Sequence, residues 1–198
     1  MTTDPSHPEP LPPREERRRR TEAAILHAAQ EQFADQGFER TTIRSVAGQA
    51  GVDPALVMQY FRNKEGLFAA AARWTLDHSG LAAVPLADLP GAALSEMLDG
   101  FEDPARRESC LALLRNCLTH PAAGDVMRDD VMCDTQATIA RTIGGADADL
   151  RAGVLGALML GLMISRDLLE VPALSGATRA DLERVVLPAL RAITAPPD

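Results

Sequence analysis

A chain of 198 residues is long enough to bury a sizeable core, in one large unit or in a small one joined to a larger one. Aromatic residues make up only 4% of it and no long Val/Ile/Thr alternation occurs, which sets sheet folds aside in favour of an all-α fold. A formal charge of −8 argues against a generally basic nucleic-acid binder until it is divided: residues 1–75 carry ten Arg/Lys and ten Asp/Glu, and the acidic excess lies wholly in residues 76–198. An acidic body repels phosphate and leaves the N-terminal part as the favourable face for it, although acidity also serves solubility alone.

Residues 1–13 contain five prolines and almost no apolar side chains, so a disordered arm is expected there. No apolar segment follows the arginines as in a signal peptide. The longest apolar run, Ala152 to Ile164, falls short of the ~20 residues of a membrane span. A cytoplasmic protein with no membrane partner is the expectation. Arg14 and Arg17 to Arg20 then open the first helix. Cations at a helix N-terminus oppose its dipole, so local stability does not explain them. Contacts from Arg17, Arg18, Arg19 and Arg20 to DNA phosphates or the minor groove do, and a plain solvated charge run is the alternative.

From Thr21 to Gln36, Ile25, Leu26, Ala29 and Phe33 recur at helical spacing. Gly37 stops that helix and Phe38 plugs a small core. Thr42 is a candidate N-cap for a short helix through Ala50, Gly51 supplies a left-handed turn, and Asp53-Pro54 caps and starts a second helix reaching Tyr60 or Phe61. Val46, Ala50, Val52, Val57 and Tyr60 would share one core. Ala55, Leu56, Met58 and Gln59 point outward, where Leu and Met suit a base edge or thymine methyl better than water. This is the pattern of a helix-turn-helix, with a purely structural helical hairpin as the bland reading. Asn63 can cap a further helix from Lys64, carrying an apolar stripe of Leu67, Phe68, Ala71, Trp74 and Leu76. Its first N–H groups and Lys64 form a phosphate site.

Residues 21–67 resemble the N-terminal domain of TetR-family transcriptional regulators. The matching elements are the helix Ala24 to Phe33, then Gly37-Phe38, Thr41-Thr42-Ile43, Val46-Ala47, Ala50-Gly51-Val52 and Tyr60-Phe61 followed by Lys64-Glu65 and Leu67, in order and without insertion. Met58 stands where commoner members carry Tyr or His. The resemblance implies double-stranded DNA as partner, through Thr42, Asp53, Pro54, Ala55, Leu56, Met58, Gln59, Tyr60 and Lys64. It implies a reading domain over residues 14–62 and a helical ligand-binding and dimerisation domain over residues 63–198. It also implies that the last two long helices form a four-helix dimer interface.

Residues 79–91 read as a Gly/Pro-rich connector. Helices follow near 90–101, 105–119, 122–142, 147–170 and 178–194, broken at Pro104, Pro121, Gly144-Gly145 and Pro172. Gly153, Ala157 and Gly161 recur every four residues, and Leu182, Val185, Val186, Ala189, Leu190 and Ile193 make a wide stripe on the last helix, so these nine residues are the candidate dimer seam. Candidate cavity-lining residues are Met97, Phe101, Leu113, Leu114, Cys117, Met127, Val131, Leu158 and Met163; each would serve equally as plain core, and with few aromatics they suit a small apolar effector. The four histidines are scattered, no catalytic constellation or metal spacing occurs, and no cofactor is expected. Cys110 and Cys117 share a helix face too far apart for a disulfide. Three readings stay open at this point. One is a homodimeric, ligand-responsive regulator, a repressor on an inverted repeat. Another is a redox-responsive regulator using Cys110, Cys117 or Cys133. The third is a helical enzyme or interaction module with a structural helix-turn-helix.

Overall fold

The computed structural model describes residues 14–76 and 79–195; the Pro-rich arm expected over residues 1–13 lies outside them. Eleven α-helices run through the described residues, with no strand among them. The first four are α1 (Arg14–Arg40), α2 (Ile43–Ala50), α3 (Pro54–Phe61) and α4 (Lys64–Thr75). After a 3-10 turn, Ser79–Ala83, come α5 (Leu89–Glu102), α6 (Pro104–Thr119) and α7 (Pro121–Val126), the last running through a π-helical turn, Met127–Met132, into α8 (Cys133–Ile143). The chain closes with α9 (Ala148–Met163), a second π-helical turn, Ile164–Leu168, then α10 (Pro172–Ser175) and α11 (Arg179–Thr194).

The expected punctuation holds. Thr42 and Ser45 form a reciprocal capping box, Gly51 sits in the left-handed region, and Asp53 accepts from the Ala55 N–H with Pro54 at the first helical position. Gly37 (φ 79°, ψ 169°) does not end α1 but breaks it, turning Phe38 inward to stack on Phe33 and meet Phe68 edge-on. Between α3 and α4 the chain turns on a single residue. Arg62 (φ 67°, ψ −51°) is the centre of a γ-turn in which the Asn63 N–H donates to the Phe61 carbonyl at 2.8 Å. That folded-back carbonyl explains Gly66, where a Cβ would stand 2.2 Å from it. Asn63 then caps α4 through the Gly66 N–H at 2.7 Å.

Two apolar clusters form. The first joins Ile25, Phe33, Phe38, Val46, Val57, Leu67 and Phe68 to Leu113, Ala123, Val126, Met127 and Val131. The second gathers Leu89, Leu94, Leu98, Phe101, Cys110, Ile139, Leu155, Leu182 and Leu190. The first cluster therefore crosses the expected boundary at residues 62–63, because α4 packs on α1 and is itself covered by α6 and α7. Trp74, placed in the apolar stripe of α4, instead lies 55% exposed, and Thr75 takes the inward position. Arg179 latches α11 to α5, donating to Asp99, Glu102 and the Ser95 hydroxyl.

The joint between the reading end and the larger unit is a buried amide. Asn116 of α6 donates through Nδ2 to the Phe33 carbonyl and to its own helix at Ala112, both at 2.9 Å, and accepts through Oδ1 from the Phe38 N–H. The Gly37 break presents that N–H, and no water reaches it to offer an alternative partner, since Phe38 and Asn116 are both buried. Replacing Asn116 with Leu keeps the volume but strands the Phe38 N–H. The expected loss is about 3 kcal/mol in urea denaturation, the upper end for an unsatisfied buried donor; a midpoint unchanged within ~0.5 kcal/mol, as for a neutral surface change, would show the joint to be dispensable.

Candidate nucleic-acid interface and apolar cavity

α3 presents Pro54, Ala55, Met58 and Gln59 outward, while Val57 and Phe61 are buried and Leu56 and Tyr60 are half-buried. Asp53 spends its carboxylate on the cap. The Tyr60 ring lies under the Arg18 guanidinium, 5.7 Å from its centroid. That contact draws the start of α1 alongside the reading helix. Arg14, Arg17, Arg18 and Thr21, at i, i+3, i+4 and i+7, line one groove together with Glu15, Leu56, Gln59 and Tyr60.

The arginine run is thus divided by helical geometry. Arg17 and Arg18 face the groove, whereas Arg19 and Arg20 pair one turn back with Glu15 and Glu16. Arg14 was read from the sequence only as the start of the arginine run, and Thr21 was not considered for this surface, although their spacing with Arg17 and Arg18 carried the signal. Lys64 donates one N–H to the Glu39 carbonyl at 2.9 Å and sits 4.5 Å over the Phe38 ring, so at most two of its three N–H groups are open to a phosphate. Thr42 is exposed and its hydroxyl bonds Ser45. A polar relay not foreseen from the sequence braces this surface from behind: the Ser45 hydroxyl donates to the buried Gln32 at 2.6 Å, and Gln32 donates to Gln49 at 2.7 Å.

In the larger unit, α5, α6, α8, α9 and the first π-helical turn enclose a cavity of about 230 Å³. Met97, Leu113, Leu114, Cys117, Met127, Val131 and Met163 line it as expected. Phe101 and Leu158 do not. Phe101 is buried in the second cluster against the α6 side, and Leu158 lies 42% exposed on the outer face of α9. Neighbours not foreseen, among them Cys110, Thr135, Gln136, Leu155 and Met159, complete the wall. Both π-helical turns contribute to it, through Met127 and Val131 in one and Ile164 in the other. No group of three or more His, Cys, Asp or Glu among the described residues could hold a metal ion.

The candidate dimer seam is divided too. Leu182 and Leu190 are buried in the chain's own second cluster and so face inward, while Val186 and Ile193 are half-buried against it. α11 turns that way because its Thr178–Asp181 capping box and the Arg179 latch set its inner face against α5. Ala157, Gly161, Val185 and Ala189 remain exposed, Gly153 is half-buried with open space where a Cβ would stand, and Leu150, Val154 and Leu158 extend the face. Counted through its π-helical turn, Ala148–Leu168 is 21 residues, and its most apolar stretch has a mean hydropathy of 1.5, long and apolar enough to cross a membrane by length and composition. The apolar run read from the sequence, Ala152 to Ile164, was counted between Arg151 and Arg166, whereas the helical segment extends to Leu168, within the helix expected over residues 147–170. Asp167 is buried opposite Arg107, at 3.5 Å.

An exposed, arginine-flanked helix-turn-helix on an all-helical body with an apolar cavity defines a DNA-binding regulator. Residues 25–71 match the family described as bacterial regulatory proteins, tetR family, and residues 87–193 match the tetracyclin repressor-like C-terminal domain. The chain belongs to the TetR family of transcriptional regulators. Over 56 residues it is 41% identical to the transcriptional dual regulator CecR of Shigella flexneri, covering 28% of this chain and 25% of that one. It is 29% identical over 141 residues to the regulator BetI of Serratia proteamaculans, covering 65% and 71%. The match spans about a quarter to a third of the length of the first curated relatives. A TetR-family regulator from Streptomyces coelicolor superposes with a TM-score of 0.62 at 25% identity, covering 94% of this chain and 99% of that one. SmeT in complex with triclosan shares the fold, with a TM-score of 0.62 at 23% identity over 87% and 89%.

The thiols of the cavity wall are held neutral. Burial pushes Cys110 up from 9.0 to about 11, against a weak opposing pull from Arg106, and pushes Cys117 up to about 11 as well. That rise leaves about a hundredfold less thiolate than an ordinary cysteine has at any pH well below both values. Alkylation at pH 8 is therefore expected to mark exposed Cys133 alone at short times, read by peptide mass mapping. Equal early labelling of Cys110 or Cys117 would overturn this assignment of their environment.

Proposed function

We propose that this regulator is a homodimeric repressor that reads an inverted repeat with α3 and releases it when a small apolar effector fills the cavity. Residues 14–62 serve as the reading domain and residues 63–198 as the effector and dimerisation domain, in the cytoplasm. The observation that carries the reading is the placement of Asn116. It lies between Leu113 and Cys117 of the cavity wall and is bonded to both sides of the Gly37 break in the reading end. A second link runs from Arg73 of α4 to the Asp130 carbonyl, inside the π-helical turn whose Met127 and Val131 line the cavity. A cavity that changes shape would shift both supports of the reading end together, and with them the spacing of two heads in a dimer. A ~100-fold preference of the effector for the altered spacing supplies about 2.7 kcal/mol of coupling. One protein of this fold is solved with triclosan bound, in keeping with such a cavity.

On DNA, Gln59 is assigned to a base edge and Arg17 and Arg18 to phosphates, with Ala55, Leu56 and Met58 against the groove floor and Thr42, Tyr60 and Lys64 along the backbone. The test is anisotropy on duplexes selected from a random pool. Arg17→Ala and Arg18→Ala are expected each to flatten the salt dependence of log K by ~0.9, the loss of one phosphate contact, and Arg19→Ala to leave it nearly unchanged. Gln59→Ala is expected to cost ~1–3 kcal/mol on the selected sequence and little on random DNA. Equal slopes for all three arginine variants, or intact specificity without Gln59, would move the interface elsewhere.

Dimerisation is assigned to Ala157, Gly161, Val185 and Ala189 with Leu150, Val154 and Leu158, an apolar face that water would otherwise cover. Ala157→Arg puts a charge in the middle of it, and light scattering at micromolar concentration is expected to change from dimer to monomer. A wild-type monomer, or an unaltered dimer in the variant, rejects this seam. The redox alternative is weakened by the two neutral thiols in the cavity wall.

A further inference from the structure

The wall of the cavity is apolar except at one place. None of its lining residues carries a charge, and its only polar side chains besides the two thiols are Thr135 and Gln136, neighbours on α8. Both lack a partner: among the described residues neither side chain makes a hydrogen bond. For a helical threonine this is out of pattern. Thr21, Thr75, Thr119, Thr138, Thr142 and Thr194 all donate to the carbonyl four residues back, at 2.6–3.2 Å. The carbonyl four residues before Thr135 belongs to Val131, inside the π-helical turn. The Gln136 carboxamide is laid against α9 at a glycine, its Nε2 standing 3.7 Å from where a Gly156 Cβ would be. A Cβ at Gly156 would touch the amide at van der Waals distance, and a longer side chain there would compete for the space in front of it.

The Thr135 hydroxyl and the Gln136 carboxamide are half-buried with their hydrogen-bonding capacity unused, the one polar spot in the wall that a molecule filling the cavity could engage. A charged molecule would lose its hydration and find no counter-charge in the wall, whereas a neutral one with a single polar end would leave nothing unpaired. We propose that the cavity takes an uncharged, mainly hydrocarbon or aromatic molecule with one hydrogen-bonding head, and that the Thr135 hydroxyl and the Gln136 carboxamide recognise that head. The inference rests on the reading of the cavity as the effector site, and it adds the class of effector and the two residues that select it.

Four probes of matched body separate the possibilities: 4-phenyl-1-butanol, butylbenzene, 4-phenylbutanoate and 4-phenylbutylammonium, titrated calorimetrically into the full chain. The alcohol is expected to bind at least ~tenfold more tightly than either ion, a difference of 1.4 kcal/mol. Gln136→Leu is expected to cost the alcohol ~tenfold while leaving butylbenzene as tight or tighter, with Thr135→Val acting in the same direction. Gly156→Leu, with its helical circular dichroism intact, is expected to abolish binding of all four by filling the space before the amide. Ions that bind as well as the alcohol, an alcohol-to-butylbenzene ratio untouched by both polar replacements, binding that survives Gly156→Leu, or no binding by any probe each overturn the proposal. Release of DNA is followed separately by anisotropy. Should the alcohol bind as expected and leave DNA bound, the effector reading fails while the ligand class stands.

Discussion

A single buried carboxamide sets the relation between the two ends of this molecule. The break at Gly37 frees the Phe38 N–H from the helical ladder and drives the Phe38 ring into contact with Phe33 and Phe68. Asn116, from α6, accepts from that N–H and binds the Phe33 carbonyl with its other end. Because a carboxamide has fixed donor and acceptor edges, it accepts one orientation of the reading end and no other. The aromatic cluster beside it supplies the burial, and the amide supplies the register. α6 is thus both the wall of the cavity and the seat of the helix-turn-helix.

Charge on the reading surface is arranged by the same economy of contacts. Five arginines in seven residues would repel one another on an isolated helix. Two acids inside the run neutralise Arg19 and Arg20, and Tyr60 takes the Arg18 guanidinium over its face, so Arg14, Arg17 and Arg18 converge on the groove beside Gln59. Lys64 is drawn inward to Glu39 and Phe38, which ties the start of α4 to the end of α1. The γ-turn at Arg62 between α3 and α4 holds a non-glycine residue at positive φ, a conformation that costs of order 1–3 kcal/mol. It persists because Asn63, Gly66 and the Phe61 carbonyl together leave the chain no room for another turn.

The far end of the molecule shows the opposite condition, apolar surface without a cover. Val185 is 64% and Leu150 70% exposed, and open space surrounds Gly153 and Gly161. Among the described residues α9 packs chiefly on α8 and α11, and Leu150, Val154, Ala157 and Leu158 on its other face are exposed. The cavity lies directly behind that helix, through Ala152, Leu155 and Met159, so the face that meets solvent and the wall that meets a ligand belong to the same few turns.

Local grammar in the chain was enough for most of the fold. Caps, the left-handed glycine and proline at the first helical turn are determined by steric and hydrogen-bonding rules within four or five residues, and Thr42, Gly51, Asp53, Pro54 and Asn63 obey them where they stand. Of the outward set Ala55, Leu56, Met58 and Gln59, periodicity placed three and Leu56 is half-buried; seven of the nine candidate lining residues stand at the cavity. What the sequence could not decide was which side of an all-round apolar helix meets which neighbour. Leu182 and Leu190 turned inward, Leu158 and Trp74 outward, because the Arg179 latch and the packing of α4 under α6 involve partners dozens of residues away. The roles of Asn116, Gln32, Thr135 and Gln136 were equally hidden. A polar side chain declares its function only through the atoms that face it, and those come together only in the folded chain.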